Sequence, residues 1–206
     1  MKNLNLNYIP ALPIACLLSA TSPSAKAQQL PNVQTVGVLA SPQVKTDGKA
    51  TEWGGKFEAY NKATSMYYTM ANDNEKLYLT IQVTDTITIE RIINNGITLT
   101  IKCGDKGSSS SPLIISYPLN GQLRSTNHQI KVTGSKSIPD SLISTTNNLG
   151  IEAAASSNHQ KNYTYELAVS LKYLVPLINE IGTFTYNITL NTAQLSFSGK
   201  YTLVIN

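Results

Sequence analysis

The sequence contains few of the residues that most often mark a functional site. Among its 206 residues are two cysteines, one tryptophan and three phenylalanines, and only 14% of residues are charged. Cys16 lies near the N-terminus, so a chain that loses that segment keeps only Cys103 and cannot form an internal disulfide. The basic residues are scattered rather than clustered, which argues against a nucleic-acid partner.

No apolar run approaches the roughly 18 residues that a membrane-spanning helix needs, so no membrane span is expected. A shorter run, residues 9–20 (IPALPIACLLSA), follows Lys2 and precedes the small-x-small sequence Ala25-Lys26-Ala27. These features predict a secretory signal over residues 1–27 that is cleaved on export to the periplasm or the extracellular space. A lipoprotein signal ending at Cys16 is the alternative.

Cleavage would leave residues 28–206 as the mature chain. It would remove two of the 16 basic residues and none of the 12 acidic ones, which leaves a formal charge of +2. A chain of this length buries most of its apolar surface on folding, and we expect a single domain.

Catalytic motifs are also missing. The sequence has no Gly-x-Ser-x-Gly elbow and no His-Glu-x-x-His zinc site, and both histidines, His128 and His159, lie in polar stretches. We therefore expect no enzyme activity. Cys103 occupies an alternate position in line with the apolar residues Ile97, Leu99 and Ile101, which are expected to face the core. It is therefore predicted to be a small core residue rather than a nucleophile.

What the sequence does contain is period-two alternation, which is typical of strands with one wet face. In residues 77–83, for example, four aliphatic residues alternate with Tyr78, Thr80 and Gln82. The same alternation predicts strands at residues 66–70, 77–83, 97–103, 114–117, 129–132, 163–169, 183–190 and 201–205. Helix is nearly absent, although residues 90–95 (ERIINN) and 171–180 (LKYLVPLINE) could each form a turn or two, the second interrupted by Pro176. Many short strands with little helix predict an all-β fold, an antiparallel β-sandwich of jelly-roll or immunoglobulin-like type.

Several of these motifs occur in a recognisable order. Asp47-Gly48, Trp53, Asn72-Asp73 and Val83-Thr84-Asp85 resemble the N-terminal half of family 9 carbohydrate-binding modules and the wider DOMON-like group. Residues 163–174 (YTYELAVSLKYL) and 182–191 (GTFTYNITLN) are similar to the late strands of that family. The resemblance covers about residues 44–105 and 150–206 and leaves residues 105–150 unexplained. It implies an antiparallel sandwich of jelly-roll type that is usually secreted and is often joined to, or works beside, enzymes that degrade polysaccharides.

In that family an aromatic residue in the loop after the Val-x-Asp strand end stacks on sugar. The corresponding loop here, residues 85–96 (DTITIERIINNG), contains no aromatic residue. If the resemblance holds, this loop can bind sugar only through polar side chains, and tyrosines elsewhere would have to replace the missing ring. The candidate ligand-binding residues are Glu90, Arg91, Asn94, Asn95, Tyr60 and Tyr117, with Tyr67 as a further tyrosine. For any single tyrosine, the competing interpretation is a structural role, in which the ring packs against the protein and the hydroxyl faces water.

Trp53 is the only indole and is expected to serve structure. The family places the corresponding tryptophan in the sandwich core near the first strand, and a buried indole N–H would reach a loop carbonyl. Stacking of Trp53 on sugar is the alternative. Gly48 follows Asp47 in a predicted turn and is the second residue with a structural role.

Asp47, Asp73 and Asp85 raise a calcium hypothesis, because sandwich modules often stabilise loops with oxygen-ligated ions. Asp47 and Asp73 are also simple turn formers. For Asp85 there are two possibilities, since either the strand has ended before it or a buried carboxylate is paired with Arg91. Relatives of the family bind haem through methionine and histidine, which makes Met66, Met70, His128 and His159 a minor alternative.

Two functional hypotheses follow. The first is an exported, non-catalytic module that binds a polysaccharide through loops at one end of the sandwich. The second is a cell-envelope module that has lost the sugar site and binds another envelope protein or serves a structural role.

Overall fold

The computed structural model describes residues 29–104, 110–119, 128–134, 138–158, 162–191 and 195–205. The predicted signal at residues 1–27, with its lipoprotein alternative, lies outside these residues. The described chain forms two antiparallel sheets that pack face to face, which confirms the predicted all-β sandwich.

Eleven strands are found within the described residues. They are β1 (Ala59–Asn61), β2 (Met66–Asn72), β3 (Lys76–Val83), β4 (Ile97–Cys103), β5 (Leu113–Tyr117), β6 (Gln129–Thr133), β7 (Ser141–Ser144), β8 (Ile151–Asn158), β9 (Asn162–Ser170), β10 (Thr183–Leu190) and β11 (Leu195–Thr202). The five-stranded sheet has the order β1-β2-β3-β9-β8, and the six-stranded sheet has the order β11-β10-β4-β5-β6-β7. The segment 105–150, which the resemblance left unexplained, thus contributes β5, β6 and β7 to the six-stranded sheet.

Apolar alternation places one face of each strand in the core. Leu77, Leu79 and Ile81 of β3 face inward and are almost completely buried, as are Leu99 and Ile101 of β4. Aromatic contacts across the core fix how the sheets overlie one another. The ring of Tyr68 lies 4.9 Å from that of Phe197, and the ring of Tyr117 lies 6.1 Å from that of Tyr165. Strand β2 therefore overlies β11, and β9 overlies β5.

The last predicted strand, residues 201–205, is misplaced. The strand is Leu195–Thr202, and the residues after it leave the sheet. The side chain of Asn72 binds both backbone groups of Val204, because its Oδ1 accepts from the Val204 N–H at 2.9 Å and its Nδ2 donates to the Val204 carbonyl at 2.9 Å. Beyond Thr202 the chain is therefore held by one backbone bond, from the Leu203 N–H to the Gly182 carbonyl at 3.0 Å, and by this side-chain amide.

The segment 85–96, for which a loop with at most a turn or two of helix at residues 90–95 was predicted, forms a full helix, α1 (Thr86–Asn95). Asp85 is its N-cap, and Gly96 ends it at a φ of 80°. A side chain at Gly96 would collide with the carbonyl of Pro118. The predicted turns at residues 171–180 are two 3-10 turns, Leu171–Tyr173 and Val175–Leu177. No helix in the described ranges is both long and apolar enough to cross a bilayer.

A long segment, residues 38–58, crosses the outer face of the five-stranded sheet, and we call it the strap. It includes the short 3-10 helix Ala50–Trp53. At its start the Ala40 N–H donates to the Asn72 carbonyl at 2.8 Å, and at its end the Glu58 N–H donates to Thr69 Oγ1 at 3.1 Å. The strap buries sheet residues that would otherwise face solvent.

Candidate functional site

Strand directions bring several of the predicted site residues to one end of the sandwich. Helix α1 links the end of β3 to the start of β4, and the register pairs the end of β3 with the start of β2. Tyr60 and Tyr67 lie one residue from this same end, on the outer face of the five-stranded sheet. The candidates from the two predicted groups, the helix and the tyrosines, are therefore near one another in the fold although they are distant in sequence.

Helix α1 packs on the core through Thr88, Ile89 and Ile92. Glu90 and Asn94 are one turn apart and exposed, whereas Arg91 and Asn95 are half-buried. The Asn95 side chain donates to the Arg91 carbonyl at 3.3 Å, and the Asn95 carbonyl accepts from the Asn191 side chain at 2.8 Å. The helix thus presents Glu90 and Asn94 to solvent but uses Asn95 within the protein.

Asp85 is an exposed residue beyond the end of β3, which decides between the two predicted possibilities. The strand has ended at Val83, and the Asp85 carboxylate accepts the Thr88 N–H at 2.8 Å. Hydrogen bonds from Thr88, with a smaller effect of the Arg91 charge, lower the pKa of Asp85. Asp85 therefore caps α1 and is not a buried partner of Arg91.

Tyr60 and Tyr67 form an aromatic surface that we call the tyrosine ledge, together with Phe57. The rings of Tyr60 and Tyr67 lie 4.5 Å apart at 36°, and the rings of Phe57 and Tyr67 lie 6.0 Å apart at 44°. Phe57 is buried, whereas both tyrosines are half-exposed. Gln82 pairs with Tyr67 in the ladder, and Glu58 is exposed two residues before Tyr60. The ledge therefore combines ring surface with an amide and a carboxylate.

Tyr117 is not available to a ligand at the surface, which corrects its inclusion among the ligand-binding candidates. Its side chain is 3% exposed and points into the core, and burial raises the pKa of its hydroxyl. The reason is parity, because Tyr117 continues the inward series of Leu113 and Ile115 on β5.

Trp53 is not in the core between the sheets, and it is not a free platform. It is half-buried and packs against Ala71, Tyr78 and Ala168 on the outer face of the five-stranded sheet. Its Nε1 is buried and has no hydrogen-bond partner in the described part of the chain, so the expected loop carbonyl is not found. Trp53 therefore holds the strap against the sheet.

Glu166, on β9 beneath the strap, is 2% exposed and carries the most unusual carboxyl group of the structure. Its Oε2 accepts the N–H groups of Asp47 and Gly48 at 3.0 and 2.9 Å, whereas its Oε1 is buried without a partner among the described residues. Burial raises the pKa of Glu166 to about 7, against the effect of the two N–H donors. The Ser156 hydroxyl donates to the Gly48 carbonyl, which attaches the same turn to β8.

Gly48 is buried at a φ of 81°, where a Cβ would lie 3.1 Å from the backbone of Ala155. The Asp47-Gly48 turn therefore needs a glycine for two reasons, its left-handed conformation and its close approach to β8. Asp47 itself is exposed, and its Oδ1 accepts the Lys49 N–H at 2.9 Å.

The structure does not bring Asp47, Asp73 and Asp85 together, so they form no shared calcium site. Asp73 and Asp85 lie beyond opposite ends of the eight-residue strand β3, on the order of 25 Å apart. Asp73 accepts the N–H groups of Glu75 and Lys76 and the Tyr78 hydroxyl. Burial acts to raise the pKa of Asp73, but these hydrogen bonds outweigh it and lower the pKa. No group of three metal-ligating side chains is found in the ranges that the structure describes.

Two other expectations concern Cys103 and the methionines. Cys103 is a free thiol that is half-buried rather than fully in the core, because β4 ends there and the sheet no longer covers it. Met66 and Met70 are completely buried on the inner face of β2, where they fill the core. His128 lies just before β6 in the other sheet, and His159 is outside the described residues. Within the described residues the two methionines thus serve the core, and the haem alternative stays a prediction.

Sequence reasoning missed the burial of Glu166 and the strap that causes it. The signal was present, since Glu166 is the only charged residue in the run YTYELAV of β9, and such a run is typical of a strand buried on both faces. It also missed that the hydroxyls of Tyr163 and Tyr165, two completely buried tyrosines of β9, have no partner within the described residues. Burial raises the pKa of both hydroxyls.

Comparison with known proteins assigns no family to this arrangement. A scan against protein-family models gives no match, and a search of curated proteins gives no similar sequence. The resemblance to family 9 carbohydrate-binding modules therefore stays a prediction.

Proposed function

We propose that the protein is an exported, non-catalytic module that binds a polysaccharide on the tyrosine ledge. The observation that carries the proposal is the half-exposed pair Tyr60 and Tyr67, whose ring centroids lie 4.5 Å apart with their planes tilted by 36°. Sugar rings present flat C–H faces that pack on aromatic rings, while their hydroxyls need hydrogen-bonding groups at the margin. The predicted signal at residues 1–27 supports export.

The ledge is held in place by the sheet beneath it. Tyr60 and Tyr67 are directly paired across β1 and β2, and buried Phe57 supports the ring of Tyr67 from the end of the strap. A pre-formed aromatic surface loses little conformational entropy when it binds, which favours binding of a stiff polymer. Gln82 and Glu58 can then bind sugar hydroxyls beside the rings. This site differs from the loop site that the resemblance implies.

Mobility of the protein in native gels that contain soluble polysaccharides tests the proposal. The panel comprises neutral plant, algal and bacterial polysaccharides, and at least one is expected to retard the wild-type protein. Tyr60→Ala and Tyr67→Ala should each weaken that binding about tenfold, because an aromatic contact contributes on the order of 1 kcal/mol. Tyr60→Phe is the matched control, since it keeps the ring, and it should bind within about twofold of wild type.

Fluorescence of Trp53 provides the folding control. Trp53 is the only tryptophan, and it packs under the strap rather than on the ledge, so its emission should be the same in all three variants. The proposal would be wrong if no polysaccharide retards the protein, or if both alanine variants bind like wild type. The first of these results would favour the alternative, an envelope module that binds another protein.

A further inference from the structure

The outer face of the six-stranded sheet has a different chemistry from the rest of the surface. The six strands of this sheet contain three lysines, Lys102, Lys131 and Lys200, and no aspartate or glutamate. All three lysines are exposed. On the five-stranded sheet, by contrast, the single strand lysine, Lys76, forms an ion pair with Glu152 at 2.7 Å. The charge of the six-stranded sheet is therefore not neutralised by its own strands.

The register places two of these lysines on either side of one residue. Thr185 of β10 pairs with Lys200 of β11 and with Lys102 of β4. The two lysine Cα atoms are thus two strand spacings apart, about 10 Å, with their side chains on the same face. No carboxylate in the described residues forms an ion pair with either lysine. Among the described residues neither ammonium group has an acidic partner, and the two repel one another.

Protection of an edge strand does not explain this arrangement. Lysines on edge strands are common because they prevent pairing with other chains, and β11 is an edge strand. That reason accounts for Lys200. It does not account for Lys102, which lies two strands inside the sheet, or for Lys131 on β6, which also has a neighbouring strand on each side.

Hydrogen-bonding side chains lie beside the lysine pair. Thr100, Lys102, Thr185, Asn187 and Ser198 line a shallow groove of about 330 Å³. The Asn187 side chain donates to Ser198 Oγ at 2.9 Å, so the Ser198 hydroxyl already accepts one bond and keeps its own proton for another acceptor. The groove therefore offers hydroxyl donors next to two ammonium groups.

We propose that this lysine face, defined by Lys102, Lys131, Lys200 and the groove beside Thr185, binds an anionic polysaccharide. Sulfate or carboxylate groups of the polymer would bind the lysines, and its hydroxyls would bind the threonine and serine side chains. No outward-facing residue of the six strands is aromatic. The lysine face therefore has no ring on which a base could stack, and stacking is what single-stranded nucleic acid binding depends on.

This inference goes beyond the proposed function, because the lysine face and the tyrosine ledge lie on opposite sides of the sandwich. It shares with that proposal only the class of ligand. The two sites can be tested separately, since the ledge binds through rings and the lysine face through charge. Binding at the lysine face should weaken strongly with added salt, because salt screens the attraction between exposed lysines and the anionic groups of the polymer.

The test compares binding of the purified protein to dextran sulfate, alginate and uncharged dextran. Lys102→Gln/Lys200→Gln should weaken binding to the two anionic polymers on the order of tenfold, as expected for the loss of two exposed ion contacts. Lys45→Gln/Lys49→Gln is the matched control, because it removes the same charge from exposed positions of the strap on the opposite side. The control should bind the anionic polymers like wild type.

Three results would overturn the proposal. They are an equal loss in the control, no binding to either anionic polymer, and binding of single-stranded oligo(dT) as tight as that of dextran sulfate. Failure of this proposal is distinguishable from failure of the ledge. Tyr60→Ala should leave dextran sulfate binding unchanged, and Lys102→Gln/Lys200→Gln should leave binding of a neutral polysaccharide unchanged.

Discussion

The outer faces of the two sheets start from the same alternating pattern but differ in burial. On β10 of the six-stranded sheet, buried and half-exposed residues alternate from Phe184 to Leu190. On β9 of the five-stranded sheet, every residue from Tyr163 to Val169 is buried. The strap accounts for the difference, because it covers the outward residues of β9. An alternating pattern of apolar and polar residues therefore indicates a solvent-exposed face only where no other segment crosses the sheet.

The comparison predicts that outward-facing residues contribute very differently to the stability of the two sheets. Tyr78 faces outward on β3 but is buried against Trp53, and its hydroxyl donates to Asp73 Oδ2 at 2.8 Å. Tyr78→Ala should lower the free energy of unfolding by about 3 to 4 kcal/mol. Thr100→Ala, on the outer face of β4, should lower it by less than about 1 kcal/mol. Urea unfolding measures both values, and equal values would contradict the comparison.

The covered face should also be the one that responds to pH. In the unfolded chain Glu166 loses its proton near its ordinary pKa of 4.5, whereas the folded protein keeps the proton until about pH 7. Between these values the folded state binds more protons, so the free energy of unfolding falls as pH rises. The contribution is fully present below pH 4.5 and lost above about pH 7, with a size of about 3 kcal/mol.

Urea unfolding of wild type and Glu166→Gln between pH 4.5 and 8 measures this effect. The amide introduced by this substitution would keep an acceptor for the Asp47 and Gly48 N–H groups and cannot ionise, so the variant should lack this fall in stability. Glu152→Gln is the control on the exposed part of the same sheet and should keep the wild-type fall. A wild-type stability that stays level or rises from pH 5 to pH 7 would show that Glu166 is already ionised in the folded protein.

The smallest expected effect concerns two glycines of the strap, Gly48 and Gly54. Comparing their alanine variants separates the cost of a close contact with β8 from the cost of a left-handed backbone conformation. Gly48 and Gly54 both have positive φ, 81° and 58°, but only a Cβ at Gly48 would meet other atoms, at 3.1 Å. Gly54→Ala should cost about 1 kcal/mol for conformation alone, and Gly48→Ala should cost about 1 kcal/mol more. Thermal unfolding gives the difference, and the Trp53 emission of Gly48→Ala should shift to the red as the strap lifts. Identical midpoints for the two variants would rule out the contact.

The alternating pattern predicted most strands of both sheets, including those whose outer face the strap covers, and failed where other forces dominate. Strand β8 (IEAAASSN) has small residues on both faces, so it shows no alternation and was not predicted. In α1 (TITIERIINN) the β-branched residues Thr86 to Ile89 obscured the helical period, although Asp85 and Gly96 supplied both caps. Local caps, rather than apolar periodicity, were the better indicators of this helix.

The candidate site was predictable only in part, because the role of an aromatic ring or a carboxylate depends on which residues surround it in the folded protein. Parity along β5 would have placed Tyr117 inside had it been applied, yet the same reasoning could not show that Tyr60 and Tyr67 pair across β1 and β2, since β1 has only three residues. The burial of Glu166 depends on residues 119 and 118 positions earlier in the chain, Asp47 and Gly48. Local sequence patterns carry no information about contacts of that range.

The same long-range contacts have a consequence for the order of folding. The two ends of the described chain meet at Asn72, whose N–H donates to the Val38 carbonyl at 3.0 Å and whose side chain binds Val204. The Tyr201 hydroxyl lies 3.1 Å from both the Val38 carbonyl and Asn72 Oδ1, so it can donate to either oxygen. Because the contacts of Tyr201 and Val204 join residues 129 to 163 positions apart, most of the chain must leave the ribosome before they form. The sandwich is therefore completed late, and slow folding with dependence on the full length of the chain is the expected behaviour.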